Sequence, residues 1–130
     1  MRKAITILSI FCTIAISCID KQKDANLEMK NKVYDFGIVK NPQIVRGKFE
    51  LKNVGETEII IKNVHHSCGC TKIDYPKTPI AKNEKGYLAF EYSTLDDSGS
   101  VEKAIAIESN SKNVFDFFVI KGYVEKKTNK

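Results

Sequence analysis

The sequence lacks the short motifs that mark several common classes of enzyme. A glycine-rich phosphate loop, a GxSxG nucleophile turn and an HExxH metal motif are all missing. The isolated acids Asp35, Asp96 and Asp97 stand in strand or turn patterns, where carboxylates usually shape turns or face solvent. The sequence therefore predicts that the protein is not an enzyme.

A helical pattern is also lacking, and so is a hydrophobic run long enough to cross a membrane. No stretch keeps apolar residues at i, i+3 and i+4, the spacing of an amphipathic helix. The sustained apolar run Ile5 to Ile16 follows Arg2 and Lys3 and is shorter than the roughly 20 residues that a bilayer requires. A positive start followed by such a run predicts an export signal.

Ala15-Ile16-Ser17-Cys18 ends this signal. Small residues directly before a cysteine resemble the lipobox of bacterial lipoproteins, although Ala15 stands where leucine is usual. The resemblance implies that residues 1–17 are a lipoprotein signal peptide and that Cys18 is acylated. The exported chain would then be anchored to a bacterial membrane by its N-terminal lipid, facing the periplasm or the cell surface. An ordinary signal peptide and an uncleaved anchor are the alternatives.

The charge balance argues against nucleic-acid binding. The chain has 21 basic and 16 acidic residues, a formal charge of +5. Removing residues 1–17, which contain Arg2 and Lys3 and no acid, leaves 19 basic and 16 acidic residues, or +3. Lysines interspersed with Asp and Glu are typical of a solvated surface. We expect no nucleic-acid partner.

The residue pattern changes at Val33 and divides the exported chain into a polar segment and a segment with apolar runs. Residues 18–32 contain no aromatic residue and alternate in charge, which predicts a flexible tether. Residues 33–124 carry short apolar runs separated by turn residues, which predicts one folded domain. Residues 125–130 are a charged tail.

Alternating apolar and polar residues predict strands through the domain. Leu88, Phe90 and Tyr92 share the inward face of one predicted strand, and the run Ile59-Ile60-Ile61 predicts a central strand or one covered on its second face. Residues 75–86, with two prolines, predict a long loop. The predicted strands cover 33–39, 45–52, 58–66, 87–94, 101–108 and 115–124, the last with Phe117, Val119 and Tyr123 on one face.

About seven short strands in roughly a hundred residues predict an all-β fold, a single immunoglobulin-like β-sandwich. The sequence has no tryptophan, and Cys68 and Cys70 are too close in sequence to join opposite sheets. The tryptophan and inter-sheet disulfide of antibody domains are therefore excluded. Apolar side chains on alternating faces must hold the two sheets together instead.

The order of short motifs resembles a known family. The motifs are Tyr34-Asp35-Phe36-Gly37-Ile38-Val39, Phe49-Glu50-Leu51-Lys52-Asn53-Val54-Gly55 and Ser67-Cys68-Gly69-Cys70-Thr71, with Tyr75-Pro76, Pro79-Ile80-Ala81 and Ser109-Asn110 further on. Together they resemble the bacterial domain-of-unknown-function family numbered 1573 over about residues 33–124. The resemblance implies an immunoglobulin-like sandwich on exported, often lipid-anchored proteins, and no established activity. His65-His66 depart from the family, so no histidine function is implied.

The remaining chemistry is concentrated in Cys68-Gly69-Cys70. Because Cys12 would leave with the signal peptide and Cys18 would carry lipid, these two cysteines are left alone in an oxidising compartment. A disulfide is one interpretation, and Gly69 would supply the unusual backbone angles that so small a ring needs. Its contribution would be to the shape of the turn.

Two further interpretations stay open for this motif. In an extended segment His66, Cys68 and Cys70 share one face, and such ligands suit Cu(I), or zinc with a fourth ligand from elsewhere. A strained pair activated by His65 or His66 would instead exchange thiols. We expect a binding or structural module of the cell envelope, acting on an unknown envelope protein or polymer; the alternative is a small Cu- or Zn-binding or thiol-redox protein.

Overall fold

The computed structural model describes residues 24–127. The predicted signal peptide, the predicted lipidation site Cys18 and the last three residues lie outside this range. The described residues form strands without any helix, so they contain no helix long and apolar enough to cross a membrane. The strands are β1 (Leu27–Met29), β2 (Val33–Lys40), β3 (Ile44–Asn53), β4 (Ile61–His66), β5 (Thr71–Asp74), β6 (Lys85–Ser93), β7 (Gly99–Ser109) and β8 (Phe115–Glu125).

Within residues 24–127 the strands form two four-stranded sheets that pack as a sandwich. The order is β1-β3-β6-β5 in the first sheet and β2-β8-β7-β4 in the second sheet. Strands β2 and β8 run parallel, whereas the other paired strands are antiparallel. Strands β4 and β5 are edges of different sheets, and the chain passes from one to the other through Cys68-Gly69-Cys70. The prediction of a single all-β sandwich is confirmed.

The core lies between the inward faces of the two sheets. Leu88, Phe90 and Tyr92 of β6 are buried, as their alternation predicts. The ring of Phe49 from the first sheet packs 4.5 Å, centroid to centroid, from the ring of Phe118 in the second sheet. Aromatic pairs of this kind contribute about 0.5–1.5 kcal/mol beyond the area they bury. Apolar packing between the described strands, with no disulfide joining the two sheets, therefore holds the sandwich together.

The first strand lies inside the segment that the sequence predicts to be a flexible tether. Leu27–Met29 pairs with β3, and Ala25 and Leu27 are buried in the core. The prediction of a tether is therefore wrong for this part of residues 18–32. The physical reason is that the two apolar side chains, although they lie in a polar run, cover the edge of β3 and the core beneath it.

Two predictions about strand faces have different outcomes. Phe117, Val119 and Tyr123 share one face of β8 as predicted, and it is the outer face: Phe117 and Tyr123 are 61% and 50% exposed, while Phe118 and Ile120 are fully buried. The triple isoleucine run does not form a central strand: Ile59 is buried, Ile60 is 47% exposed, and β4 is a sheet edge. Both segments carry apolar residues on both faces, so alternation alone does not decide which face is buried.

The turn after β3 holds the start of the described chain in place. The buried Asn53 side chain donates to the carbonyl oxygens of Thr57 and Ile80 and accepts from the Gly55 amide. A Cβ atom on Gly55 would overlap the Asp24 carbonyl oxygen and the Asn26 amide nitrogen. Only glycine therefore lets the backbone of residues 24–26 approach this turn.

Candidate functional site

The candidate site is the turn of residues 67–70 that joins the two sheets. The Ser67 amide donates to the Ala104 carbonyl oxygen on β7 (3.1 Å), and the Ser93 amide on β6 donates to the Cys70 carbonyl oxygen (2.9 Å). One side of the turn is thus fixed to each sheet. We call the end of the sandwich that carries this turn the CGC end. The opposite end, where Asp24 meets the turn after β3, we call the entry end.

Cys68 and Cys70 lie close enough for a disulfide bond. Their Cα atoms are 5.2 Å apart and their sulfur atoms are within bonding distance, in the range of about 4.4–6.8 Å between Cα atoms that disulfides occupy. The Cys70 amide also points at the Cys68 Sγ atom at 3.0 Å. Both cysteines are half-buried, whereas Gly69 is exposed.

The backbone conformation of Gly69 differs from the one that the sequence predicts. Among the described residues, those with positive φ are Gly37, Asn83 and Gly99, and Gly69 is not one of them. A Cβ atom on Gly69 would meet no atom within 4 Å. The predicted need for unusual backbone angles is therefore wrong, because the turn closes with an ordinary φ at this position.

The two histidines face in different directions. His65 lies beside Ala106 on the outer face, with its Nε2 atom 3.7 Å from a carboxylate oxygen of Glu108. His66 lies beside the buried Ile105, and its Nδ1 atom is 2.7 Å from the Cys68 carbonyl oxygen. Because a carbonyl oxygen only accepts, Nδ1 donates here, which in the neutral ring leaves Nε2 as the acceptor nitrogen.

The predicted metal ligands are not gathered into a three-ligand set. Within residues 24–127 no group of three His, Cys, Asp or Glu side chains lies close enough together to hold a metal ion. His66 is engaged with the Cys68 backbone, and the sulfur atoms of Cys68 and Cys70 lie against each other. Two thiolate ligands require that this pair be reduced.

Sequence reasoning missed a polar cluster beside the turn. The Tyr92 hydroxyl donates to Asp97 Oδ2 (2.6 Å), and Lys103 Nζ lies 3.0 Å from the same oxygen. Tyr92 pairs with Thr71 directly after the turn, so the cluster underlies the CGC end. A signal was present, because Lys103 shares the inward parity of Val101 and Ile105, where a lysine needs a partner.

The pKa values of this cluster follow from its contacts. Burial, together with the hydrogen bond to Asp97, raises the pKa of the Tyr92 phenol. Burial alone would raise the pKa of Asp97, but the Tyr92 hydroxyl and the Lys103 ammonium outweigh it and lower the pKa. The Asp97 carboxylate is therefore ionised and balances the charge of Lys103, so the cluster is a structural support for the turn.

The fold and the turn together define an immunoglobulin-like sandwich whose two sheets are joined by a Cys-Gly-Cys crossover. The chain belongs to the family described as protein of unknown function DUF1573, whose model matches residues 27–124. The resemblance noted from the sequence motifs is thereby confirmed. The match begins at the first residue of β1, so it includes the strand that the sequence had assigned to the tether. Comparison with curated proteins finds no match.

Solved structures share the fold at low identity. A protein of unknown function from Porphyromonas gingivalis W83 aligns with a TM-score of 0.68 at 14% identity, over 84% of this chain and 51% of that one. The ASH or PapD-like domain of human CEP192 aligns with a TM-score of 0.63 at 10% identity, over 98% and 100% of the two chains. This chain thus spans about half the length of the Porphyromonas protein, and both likenesses concern the fold alone.

Proposed function

We propose that the protein is an exported, lipid-anchored module of the cell envelope that binds another macromolecule and has no enzymatic activity of its own. The proposal draws on the export signal, on Cys18 at its end, and on the absence of familiar catalytic motifs from the sequence. A sandwich of this kind works through the surfaces that it presents.

The observation that supports the proposal is that Asp24, where the described chain begins, and the CGC turn lie at opposite ends of the sandwich. The Glu56 amide donates to the Asp24 carbonyl oxygen (2.7 Å) at the entry end, just before β4 begins. Strand β4 then runs away from the entry end, alongside Ser109 to Ile105 of β7, before the chain reaches Cys68. A lipid on Cys18 would therefore hold the entry end near the membrane and leave the CGC end turned away from it.

The binding surface is the side of the sandwich formed by β4, the CGC turn and β5. In the part of the chain that the structure describes, β4 pairs only with β7 and β5 only with β6, so each strand has an unpaired edge. An extended segment of a partner adds to such an edge through main-chain hydrogen bonds. The half-buried cysteines fix the corner between the two edges.

A photo-cross-linking residue at Asn63 tests this surface, because Asn63 is exposed on β4. The matched control is Glu28, which is exposed on β1 at the other edge of the sandwich. In whole cells we expect Asn63 to capture one species through a single partner peptide, and Glu28 to capture none. The same products from both positions, or none from Asn63, would reject the edge.

Labelling with radioactive palmitate tests the anchor separately. Cys18→Ala should abolish incorporation into the chain, because the acylated thiol is gone. Cys12→Ala is the matched control, since it removes a cysteine inside the predicted signal peptide and should leave incorporation unchanged. Palmitate incorporation that persists in Cys18→Ala would remove the lipid anchor from the proposal.

A second candidate function, a small Cu- or Zn-binding or thiol-redox protein, is favoured by the hydrogen bond of His66. Because Nδ1 donates to the Cys68 carbonyl oxygen, the Nε2 lone pair is free for a metal, and such backbone bonds commonly orient ligand imidazoles. Elemental analysis of the reduced protein tests it: stoichiometric copper or zinc that is lost in His66→Ala supports the candidate. Metal-free reduced protein rejects the metal site, and a negative insulin-reduction assay rejects the redox role.

A further inference from the structure

The outer face of the second sheet carries an exposed apolar area. Along β8 the outward side chains begin with Phe115 and Phe117, which are 47% and 61% exposed. Phe115 lies beside Glu108, which pairs with His65, whereas the next neighbours across the sheet are small or apolar: Phe117 lies beside Ala106, and Val119 lies between Ala104 and Val33. A cluster of large apolar side chains left in solvent is a common mark of a contact surface.

A charged group interrupts the apolar side chains on this face. Further along β8 the outward residue is Lys121, which lies between Glu102 of β7 and Asp35 of β2. Beyond Lys121, toward the CGC end, Tyr123 lies beside Ile38, and the two side chains are 50% and 70% exposed. Lys121 and its partners therefore separate this second apolar pair from Phe115 and Phe117, which lie toward the entry end because β8 starts there.

The turns at the entry end extend the apolar area. Val54, Ile60 and Val114 are 39%, 47% and 54% exposed. Ile60 contacts the turn after β7 through Asn110, whose side-chain oxygen accepts from the Ile60 amide at 2.8 Å. We call the combined surface the apolar entry surface. It consists of Val33, Val54, Ile60, Ala104, Ala106, Val114, Phe115, Phe117 and Val119.

The described chain begins beside this surface and is held there. The Lys112 amide donates to the Ala25 carbonyl oxygen (2.8 Å), and the Val54 amide donates to the Asn26 carbonyl oxygen (2.9 Å). Six residue steps separate Cys18 from Asp24, and a fully extended chain of that length spans at most about 20 Å. A lipid on Cys18 would therefore keep Asp24, and with it the entry end of the sandwich, within about 20 Å of the membrane.

We propose that the apolar entry surface rests on the lipid surface to which the chain is anchored. This inference depends on the lipid anchor of the proposed function. The anchor holds the surface close to the membrane and so raises its effective concentration there. Even a weak apolar attraction then keeps the surface on the lipid most of the time. Exposed Phe and aliphatic side chains enter the boundary between headgroups and acyl chains, as the apolar faces of peripheral membrane proteins do. Lys121 with its partners, the Tyr123–Ile38 pair and the CGC end then stay in water.

Single tryptophan probes test the contact, because the natural chain contains no tryptophan. Phe117→Trp places the probe on the apolar entry surface. Leu95→Trp is the matched control: Leu95 has the same 61% exposure but lies beside Thr94, whose amide bonds to the loop before β3 at the CGC end. The full chain, purified from bacterial membranes, would be reconstituted into phosphatidylcholine vesicles with and without brominated acyl chains.

Brominated lipid should quench the fluorescence of Phe117→Trp roughly twofold or more while Leu95→Trp is unaffected, because bromine quenches only at contact with the acyl region. Phe115→Trp should behave like Phe117→Trp and replaces it if that variant does not fold. Flotation of the vesicles reports the anchor independently. If the protein floats but neither Phe115→Trp nor Phe117→Trp is quenched, the lipid contact is wrong and the anchor is retained. The apolar entry surface would then bind a second copy of the chain or another segment. Protein that does not float overturns both.

Discussion

The hydroxyl of Tyr92 donates a 2.6 Å hydrogen bond to Oδ2 of Asp97, and the same carboxylate pairs with Lys103 from the opposite sheet. The side chain of Lys103 is only 17% exposed, and the Asp97 carboxylate is its charged partner within the described fold. Because Tyr92 precedes Ser93, whose amide bonds to the Cys70 carbonyl oxygen, the cluster links the stability of the CGC end to the packing between the sheets.

Asp97→Asn should destabilise the sandwich by about 1–3 kcal/mol, because it leaves a half-buried lysine without its counter-charge. The free energy of unfolding in urea measures the effect. Asp96→Asn is the control, since Asp96 is the exposed neighbour and such surface changes stay within about 0.5 kcal/mol. If the two variants unfold at the same urea concentration, the cluster does not support the fold.

Gly55→Ala should loosen the first strand. A Cβ atom at this position would overlap the backbone of Asp24 and Asn26, and forced repacking of this kind costs about 1–3 kcal/mol. Hydrogen exchange should rise in residues 24–29 more than in β6. Gly69→Ala is the matched control, because its Cβ atom meets nothing within 4 Å, and we expect it to change stability by less than about 0.5 kcal/mol. Equal effects of the two substitutions would contradict the assigned role of Gly55.

Clean alternation made the strands of the core predictable from sequence. β6 is the clearest case, since Leu88, Phe90 and Tyr92 are separated by exposed or half-exposed residues. β8 was harder, because Phe115 and Phe117 on one face compete with Phe118 and Ile120 on the other. Which face of a strand is buried depends on where the other sheet lies. The alternation of residue types along the strand does not give that position.

Short segments and long-range polar contacts were beyond sequence reasoning. Three-residue β1 is too short to show a period, and its burial depends on the uncovered edge of β3. For the candidate site, composition identified Cys68 and Cys70, because they are the cysteines left after the signal and the lipid are assigned. The support beneath them was not predicted, since Asp97 meets Tyr92 and Lys103 only once β6 and β7 lie in different sheets.

The stability of the sandwich should fall as the pH rises through the titration of Asp116. Burial raises the pKa of this carboxyl above its ordinary 3.8, although Lys32 opposes the effect, and its Oδ2 atom finds no hydrogen-bond partner within residues 24–127. Between the unfolded and folded pKa values the folded state binds more protons, so stability decreases with pH, and above the folded pKa the loss is complete.

Asp97 acts in the opposite sense. Its lowered pKa contributes stability that is present above the unfolded value and is lost as the pH falls through the folded value. Asp116→Asn should therefore flatten the decline in stability above about pH 4 while leaving the acid loss in place. Urea midpoints measured across pH would show this, with the exposed Asp74→Asn as control. An unchanged decline in Asp116→Asn would assign it to other groups.

Removal of the cysteine pair should change the shape of the CGC end more than the stability of the fold. A bond between Cys68 and Cys70 closes a ring through only one intervening residue, so Cys68→Ser with Cys70→Ser should cost less than about 2 kcal/mol of unfolding free energy. Hydrogen exchange at Ser67–Thr71 should nevertheless increase, and Asn63 cross-linking should weaken, because the corner between β4 and β5 is released. The intact mass of the native protein, before and after reduction, establishes whether the bond is present. If Cys68 and Cys70 are free thiols in the native protein, the result favours the metal-binding or thiol-redox candidate for this turn. His66 is then the next residue to substitute.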